Sequence, residues 1–337
     1  MKSFLLSILL FLLLSCNQQT KAQTEKAIIK SSEINSLKNE QEVEHFIRKS
    51  DSLYRKFTLK KVQDLTCIGC DSSLVSLANR LNVDYTYIKA DFDNNGYMDI
   101  LATGENKTYT SENFNPDLDV AYSKSFNAFV IMDFGEGKTK LYDLTEEIYR
   151  GIVPMVEYQD DKALLIVYTP KYETKVVRNK RKGVKSELIF KFSDFVEYNP
   201  LPKAYSIEKI EYNTEGCFGQ CPIFSMEINK NGTSVFIAKE YNYTKPWQKG
   251  ELLEGVYSAT IKKENLSELT EVLNYIDFPS LQDHYNVIWT DDQTAVLKVT
   301  YNNGKVKTIK DYGLQGTYGM RKLHEMFFNL RTNQNWE

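Results

Sequence analysis

Two Asn-Gly pairs, Asn231-Gly232 and Asn303-Gly304, each stand between runs rich in β-branched and aromatic residues. An Asn-Gly pair accepts positive φ at both centres of a tight turn, so between strand-like runs it folds the chain back as an antiparallel hairpin. The runs that it punctuates are 207–212, 223–228, 234–238 and 256–261, then 294–301 and 305–310. Two stretches of helical spacing separate and close them, on Leu266, Leu269, Leu273 and Ile276 and on Met320, Leu323, Phe327 and Leu330. Hairpins with segregated helices define the α+β class.

The first half predicts the same class. Val43, Phe46, Ile47, Leu53, Tyr54 and Phe57 recur close to helical spacing, and Leu74, Leu77, Ala78 and Leu81 mark a second helix with Asp71 or Ser72 as its cap. Strands are expected over 83–90, 98–103, 128–134, 163–169 and 187–192. Asn199-Pro200-Leu201-Pro202 resists both helix and ladder, which places a boundary there. The expected layout is therefore two α+β units, residues 41–199 and 203–337, each a mainly antiparallel sheet with a few packed helices.

The N-terminus carries a different signal. Lys2 precedes an almost unbroken apolar stretch from Phe4 to Leu14, too short for the roughly 20 residues of a membrane-spanning helix. It ends in Leu13-Leu14-Ser15-Cys16 and resembles the bacterial lipoprotein signal. The resemblance implies a leader over 1–15 and acyl chains, palmitate among them, on Cys16. Several chains on one residue anchor stably. Residues 16–40, polar and poor in apolar anchors, are then expected to form a flexible tether. Asn17, in place of the aspartate associated with inner-membrane retention, points by the same analogy to the outer membrane of the cell envelope. The formal net charge of −3 lacks the basic excess of a nucleic-acid binder, so none is expected as a partner.

Gly216-Cys217-Phe218-Gly219-Gln220-Cys221-Pro222 resembles the motif of domain-of-unknown-function family 6438, and the resemblance runs from about Tyr205 to the C-terminus. It implies a small bacterial domain, often exported, without an established activity. In an oxidising compartment Cys217 and Cys221 read as a structural disulfide, since Gly216 and Gly219 let the turn curl tightly enough. A strained, exchangeable bridge is the alternative. His284 and His324 read as isolated, and no catalytic residue is expected.

Oxygen-bearing side chains in the stretch from Asp91 fall at loop positions 1, 3, 5 and 9, namely Asp91, Asp93, Asn95 and Asp99, with Gly96 at position 6. That alternation aims hard ligands at a common centre, as in calcium loops, and Ca2+ is the expected cofactor. Position 12 is Ala102, so the loop is not a complete EF-hand. It is similar instead to the calcium-type loop of FG-GAP blades, in one copy. The competing reading is an Asx-rich turn that satisfies its own backbone.

Cys67-Ile68-Gly69-Cys70 stands directly before the second helix, where a helix N-terminus lowers a thiol pKa. A structural disulfide is one reading, a thiol-disulfide oxidoreductase centre the other, and a four-cysteine zinc site with Cys217 and Cys221 a third. No tryptophan precedes Cys67, and Val153-Pro154 comes late for a thioredoxin-type proline loop. The basic run from Lys175 to Lys185 reads as a solvated hairpin tip or a contact for anionic lipid. Together these features predict a non-enzymatic, membrane-anchored envelope module that binds or scaffolds an envelope protein or glycan.

Overall fold

A computed structural model describes residues 29–65, 72–106, 124–145, 151–169, 172–173, 180–181, 183–245, 249–287 and 289–337. The chain starts with helices α1 (Glu33–Ser36) and α2 (Glu40–Ser50), strand β1 (Phe57–Leu59) and helix α3 (Ser72–Arg80). Strands β2 (Tyr87–Ala90), β3 (Asp99–Asn106), β4 (Lys124–Asp133) and β5 (Thr139–Asp143) complete a first sheet of order β1-β3-β4-β5, with β2 also paired to β3. A second sheet follows from β6 (Val153–Gln159), β7 (Lys162–Thr169), β10 (Val184–Lys191) and β11 (Asp194–Glu197), in the order β11-β10-β7-β6. Between β7 and β10, β8 (Tyr172–Glu173) and β9 (Lys180–Arg181) form a short ladder.

Alternation of side chains places β3 between two cores. Ile100 and Ala102 face α1 and α2 together with Phe129 and Ile131, around Ile34, Val43, Phe46 and Ile47. Leu101, Ala128, Val130 and Met132 face the opposite way, onto α3 and the second sheet through Leu74, Leu77, Leu165, Val167 and Leu188. All eight residues of β3 are buried, as expected of a strand covered on both faces. Gly104 lies where β1 crosses, and a Cβ there would meet the Thr58 carbonyl oxygen at 2.2 Å.

The third sheet has seven strands: β12 (Ile207–Thr214), β13 (Ile223–Asn229), β14 (Thr233–Lys245), β15 (Lys249–Thr260), β16 (His284–Asn286), β17 (Thr294–Tyr301) and β18 (Lys305–Tyr312). Their order is β15-β14-β13-β12-β17-β18-β16. Helices α4 (Lys263–Tyr275) and α5 (Tyr318–Asn333) contribute Leu269, Val272, Leu273, Met320, Leu323 and Phe327 to the core shared with Tyr212, Phe224, Phe236 and Leu297. The architecture is α+β, built almost wholly of antiparallel pairs. One parallel pair, β16 with β18, was not expected from the hairpin signals.

Several expectations need correction. Order begins before residue 40, because Ser32 caps α1 and the side chain of Ile34 is fully buried. The first predicted helix stops at Ser50, where a 3-10 turn over Ser52–Tyr54 follows, and Phe57 belongs to β1. Val83 is not in a strand: its amide bonds to the Ala78 carbonyl at 3.0 Å, with Asn82 left-handed at φ 53, so it closes α3. Pro154 lies within β6, at a sheet edge where a missing donor is tolerated.

The second and third sheets are tied at the N-terminus of α5. Glu197, the last residue of β11, accepts from the amides of Tyr318 at 2.7 Å and Gly319 at 2.8 Å. Its charge complements amides that have no partner inside the helix. Next to it Val196 is buried in the third-sheet core, and Asn199 Nδ2 donates to the Tyr275 carbonyl at 2.6 Å. Substituting Glu197→Ala is expected to lower unfolding stability by about 1.5–3 kcal/mol, the range for hydrogen bonds to a charged group. Urea denaturation checks this, and an unchanged midpoint would show the contact to be dispensable.

Candidate functional site

The acidic loop joins β2 to β3, which pair antiparallel with Ala90 opposite Asp99. Its backbone is held by its own side chains. Asp91 accepts from the amides of Asn95 at 3.1 Å and Gly96 at 2.8 Å, and Asp93 accepts from the Asn95 amide at 3.2 Å. Left-handed Asn94 (φ 57) and Gly96 (φ 88) make the reversal. Asp99 is fully buried and accepts from the amides of Phe92 at 2.8 Å and Asp133 at 2.7 Å.

Ligand oxygens of Asp91, Asp93 and Asp99 lie within 4.8 Å of one another. Asn95 is committed to the loop: its Oδ1 accepts from the Tyr97 amide at 2.6 Å, and its Nδ2 donates to Asp93 and to the Asp133 carbonyl. Asp133, which the loop pattern does not include, thus braces the loop from β4. From the chain start, the Lys30 amide donates to the Gly96 carbonyl at 2.7 Å and its ammonium to the Asn95 carbonyl at 2.6 Å.

Crowding three carboxylates is unfavourable in a site of low polarity. Burial is the main cause that pushes Asp99 up to about 8; nearby Asp93 and Asp91 add to it, against the two amides that it accepts from. Asp93 rises to about 6, again through burial first. An Asx turn needs no such group inside the fold, whereas a divalent cation would neutralise the cluster, and the donor set is of the hard oxygen type that calcium takes. The carboxylates that would hold it are Asp91, Asp93 and Asp99.

Cys217 and Cys221 form a disulfide with a Cα–Cα separation of 5.8 Å, closing the turn between β12 and β13. With both sulfurs in the bridge, neither is a thiolate for zinc, so the four-cysteine site is not formed. Gln293 Nε2 donates to the carbonyls of Glu215 at 2.9 Å and Pro222 at 2.8 Å, which fixes the base of the loop. Cys16, Cys67, Cys70 and Asp71 lie outside the described residues, as do the side chains of the basic run before Gly183.

His324 is not isolated. Its Nε2 lies 2.9 Å from Asp311 Oδ2 and its Nδ1 2.8 Å from the Tyr212 hydroxyl, with all three side chains buried. Burial, reinforced by Asp311, raises the Tyr212 phenol well above its ordinary value and keeps it protonated. The chain links β12, β18 and α5, and Phe327 stacks on Tyr212 at 4.1 Å. No local sequence pattern announces it, because its members are 112 and 13 residues apart. His284, by contrast, is exposed.

Residues 208–331 match a family model described as a domain of unknown function, DUF6438. The DUF6438 segment takes in β12 to β18 and most of α5, and with them the disulfide loop and the Asp311–His324–Tyr212 chain. The acidic loop lies outside it. No curated protein and no solved structure matches the chain.

Two outcomes test this geometry. Raised carboxyl pKa values mean that, without cation, stability is fullest below the ordinary value of about 4 and is lost as pH rises through about 6 and about 8. In chelator the melting temperature should therefore fall from about pH 5 to about pH 8, and calcium should raise it more at the higher pH. Asp99→Asn should remove the calcium effect and shrink the fall above about pH 6, whereas equal melting with and without calcium near pH 8 would count against the metal. Replacing both Cys217 and Cys221 by serine should cost about 2 kcal/mol, the loop-closure value for so short a ring. An unchanged urea midpoint would deny the disulfide a stabilising role.

Proposed function

We propose that this chain is a lipid-anchored module of the bacterial cell envelope, stabilised by calcium, that binds or scaffolds other envelope components. The observation that carries the reading is the convergence of Asp91, Asp93 and Asp99 within 4.8 Å, with Asp99 buried. A loop so built suits a compartment where calcium is abundant, because extracellular modules bind it with dissociation constants of about 10⁻⁴ to 10⁻³ M. The single loop resembles the FG-GAP type, and its role here is to hold β2, β3 and β4 together.

The leader ending in Leu13-Leu14-Ser15-Cys16 supports the same compartment, with Cys16 as the acylated residue. So does the Cys217–Cys221 bridge, since disulfides persist in oxidising surroundings. A binding role is supported by the surface of the DUF6438 segment, where the disulfide loop holds Phe218 out into solvent. Such a ring is a candidate anchor for a partner.

Metabolic labelling with radioactive palmitate tests the anchoring. The full chain should take up label and sediment with membranes, and Cys16→Ser should abolish labelling and leave the chain in the soluble fraction. An unlabelled, soluble wild-type chain would overturn the proposal.

A further inference from the structure

Phe218 is 88% exposed, although the loop carrying it is closed by a disulfide. Beside the disulfide and the two Gln293 bonds, the Phe218 amide donates to the Asp291 carbonyl at 3.0 Å and the Gly219 amide to the Cys217 carbonyl at 2.9 Å. A ring that stays in water on a fixed backbone gains nothing for the isolated fold. As an anchor it has already lost the entropy that binding would otherwise remove. Exposed Glu215, itself 3.4 Å from the Lys310 ammonium, and exposed Asp291 flank it.

At the other end of the same strand pair the surface is concave. A cavity of about 370 Å³ opens between α4 and the β12–β13 pair, with apolar walls of Ile207, Ile210, Ile228 and Leu266. That volume lies within the range of about 300–1,000 Å³ of small-ligand pockets and admits an aromatic ring. Lys230 and Lys263 are exposed in its lining, and the one acid there, Glu271, accepts from the Ser267 hydroxyl at 3.0 Å. Ring and cavity cannot meet within one chain. The eight residues of β12 run from the cavity to the disulfide loop, a span of roughly 25 Å at about 3.4 Å per residue.

We propose that the disulfide loop of one copy docks in this cavity of a second copy, with Phe218 between Ile207, Ile228 and Leu266, and Glu215 and Asp291 facing Lys230 and Lys263. Because the two surfaces lie at opposite ends of one hairpin, the contact is heterologous and propagates head to tail. One aromatic anchor with a charged rim buries less than the roughly 1,200 Å² of a stable complex, so the association is weak and depends on local concentration. This deepens the binding role proposed above, which rests on the same ring, and uses neither the acidic loop nor Cys16, so the anchoring and calcium readings can fail without it.

The test places the photoreactive benzoylphenylalanine at position 218 of the full chain, mixes it with isotopically heavy copies, and maps the crosslinks by mass spectrometry after irradiation. Crosslinks between light and heavy chains should join position 218 to peptides containing Ile207, Ile228 or Leu266. Lys230→Glu with Lys263→Glu should reduce them at least tenfold, and adding Glu215→Lys with Asp291→Lys should restore them, which a misfolded variant could not do. Absence of crosslinks, crosslinks elsewhere on the chain or to another protein, or a yield indifferent to charge reversal would overturn the proposal.

Discussion

The carboxyl group of Asp99 is buried at the start of a strand covered on both faces, and the local order of the first sheet follows from how that group is satisfied. Its two oxygens take the amides of Phe92 and Asp133, which sets the start of β3 against both the β2 end and β4. Asp91 and Asp93 then organise the loop amides around it, and Lys30 locks the entering chain onto the same loop. One amide goes to each oxygen, an arrangement that needs two acceptor atoms on one side chain. A charged carboxylate without a counter-ion pays the desolvation penalty that appears as its raised pKa. A divalent cation bound by Asp91, Asp93 and Asp99 would offset that penalty.

The third sheet also buries a carboxylate, and there a histidine lies against it. These are Asp311 and His324, and Asp311 also accepts from the Gly316 amide at 2.8 Å. Tyr212 completes the line. Such a chain of buried, directional contacts ties the register of α5 to β12 and β18 as apolar packing alone does not. Glu197 then couples the N-terminus of α5 to the second sheet. Polar groups thus fix where the layers join, and apolar area supplies the cohesion between them.

Much of this was legible from local chemistry. Asn231-Gly232 and Asn303-Gly304 lie at the β13–β14 and β17–β18 turns, and the leucine spacing gave α4 and α5. Strands β5, β6 and β11 escaped notice because they are short or carry proline, and their pairing is decided by partners distant in sequence. Phe57 kept the phase of the helix before it, and only the capped turn at Asp51 shows that the helix has ended. The spacing of Asp91, Asp93 and Asp99 revealed their grouping, whereas Asp133 and Lys30 reach the loop through tertiary contact alone. His324 was misread as isolated for the same reason.

Direct calcium binding at the acidic loop tests the central claim most plainly. Equilibrium dialysis of the full chain against radioactive calcium near pH 8 should show one site per chain, with a dissociation constant of about 10⁻⁴ to 10⁻³ M that Asp91→Asn abolishes. No saturable binding up to about 10 mM, well above that range, would mean that the three carboxylates are held by backbone amides alone and would contradict the account.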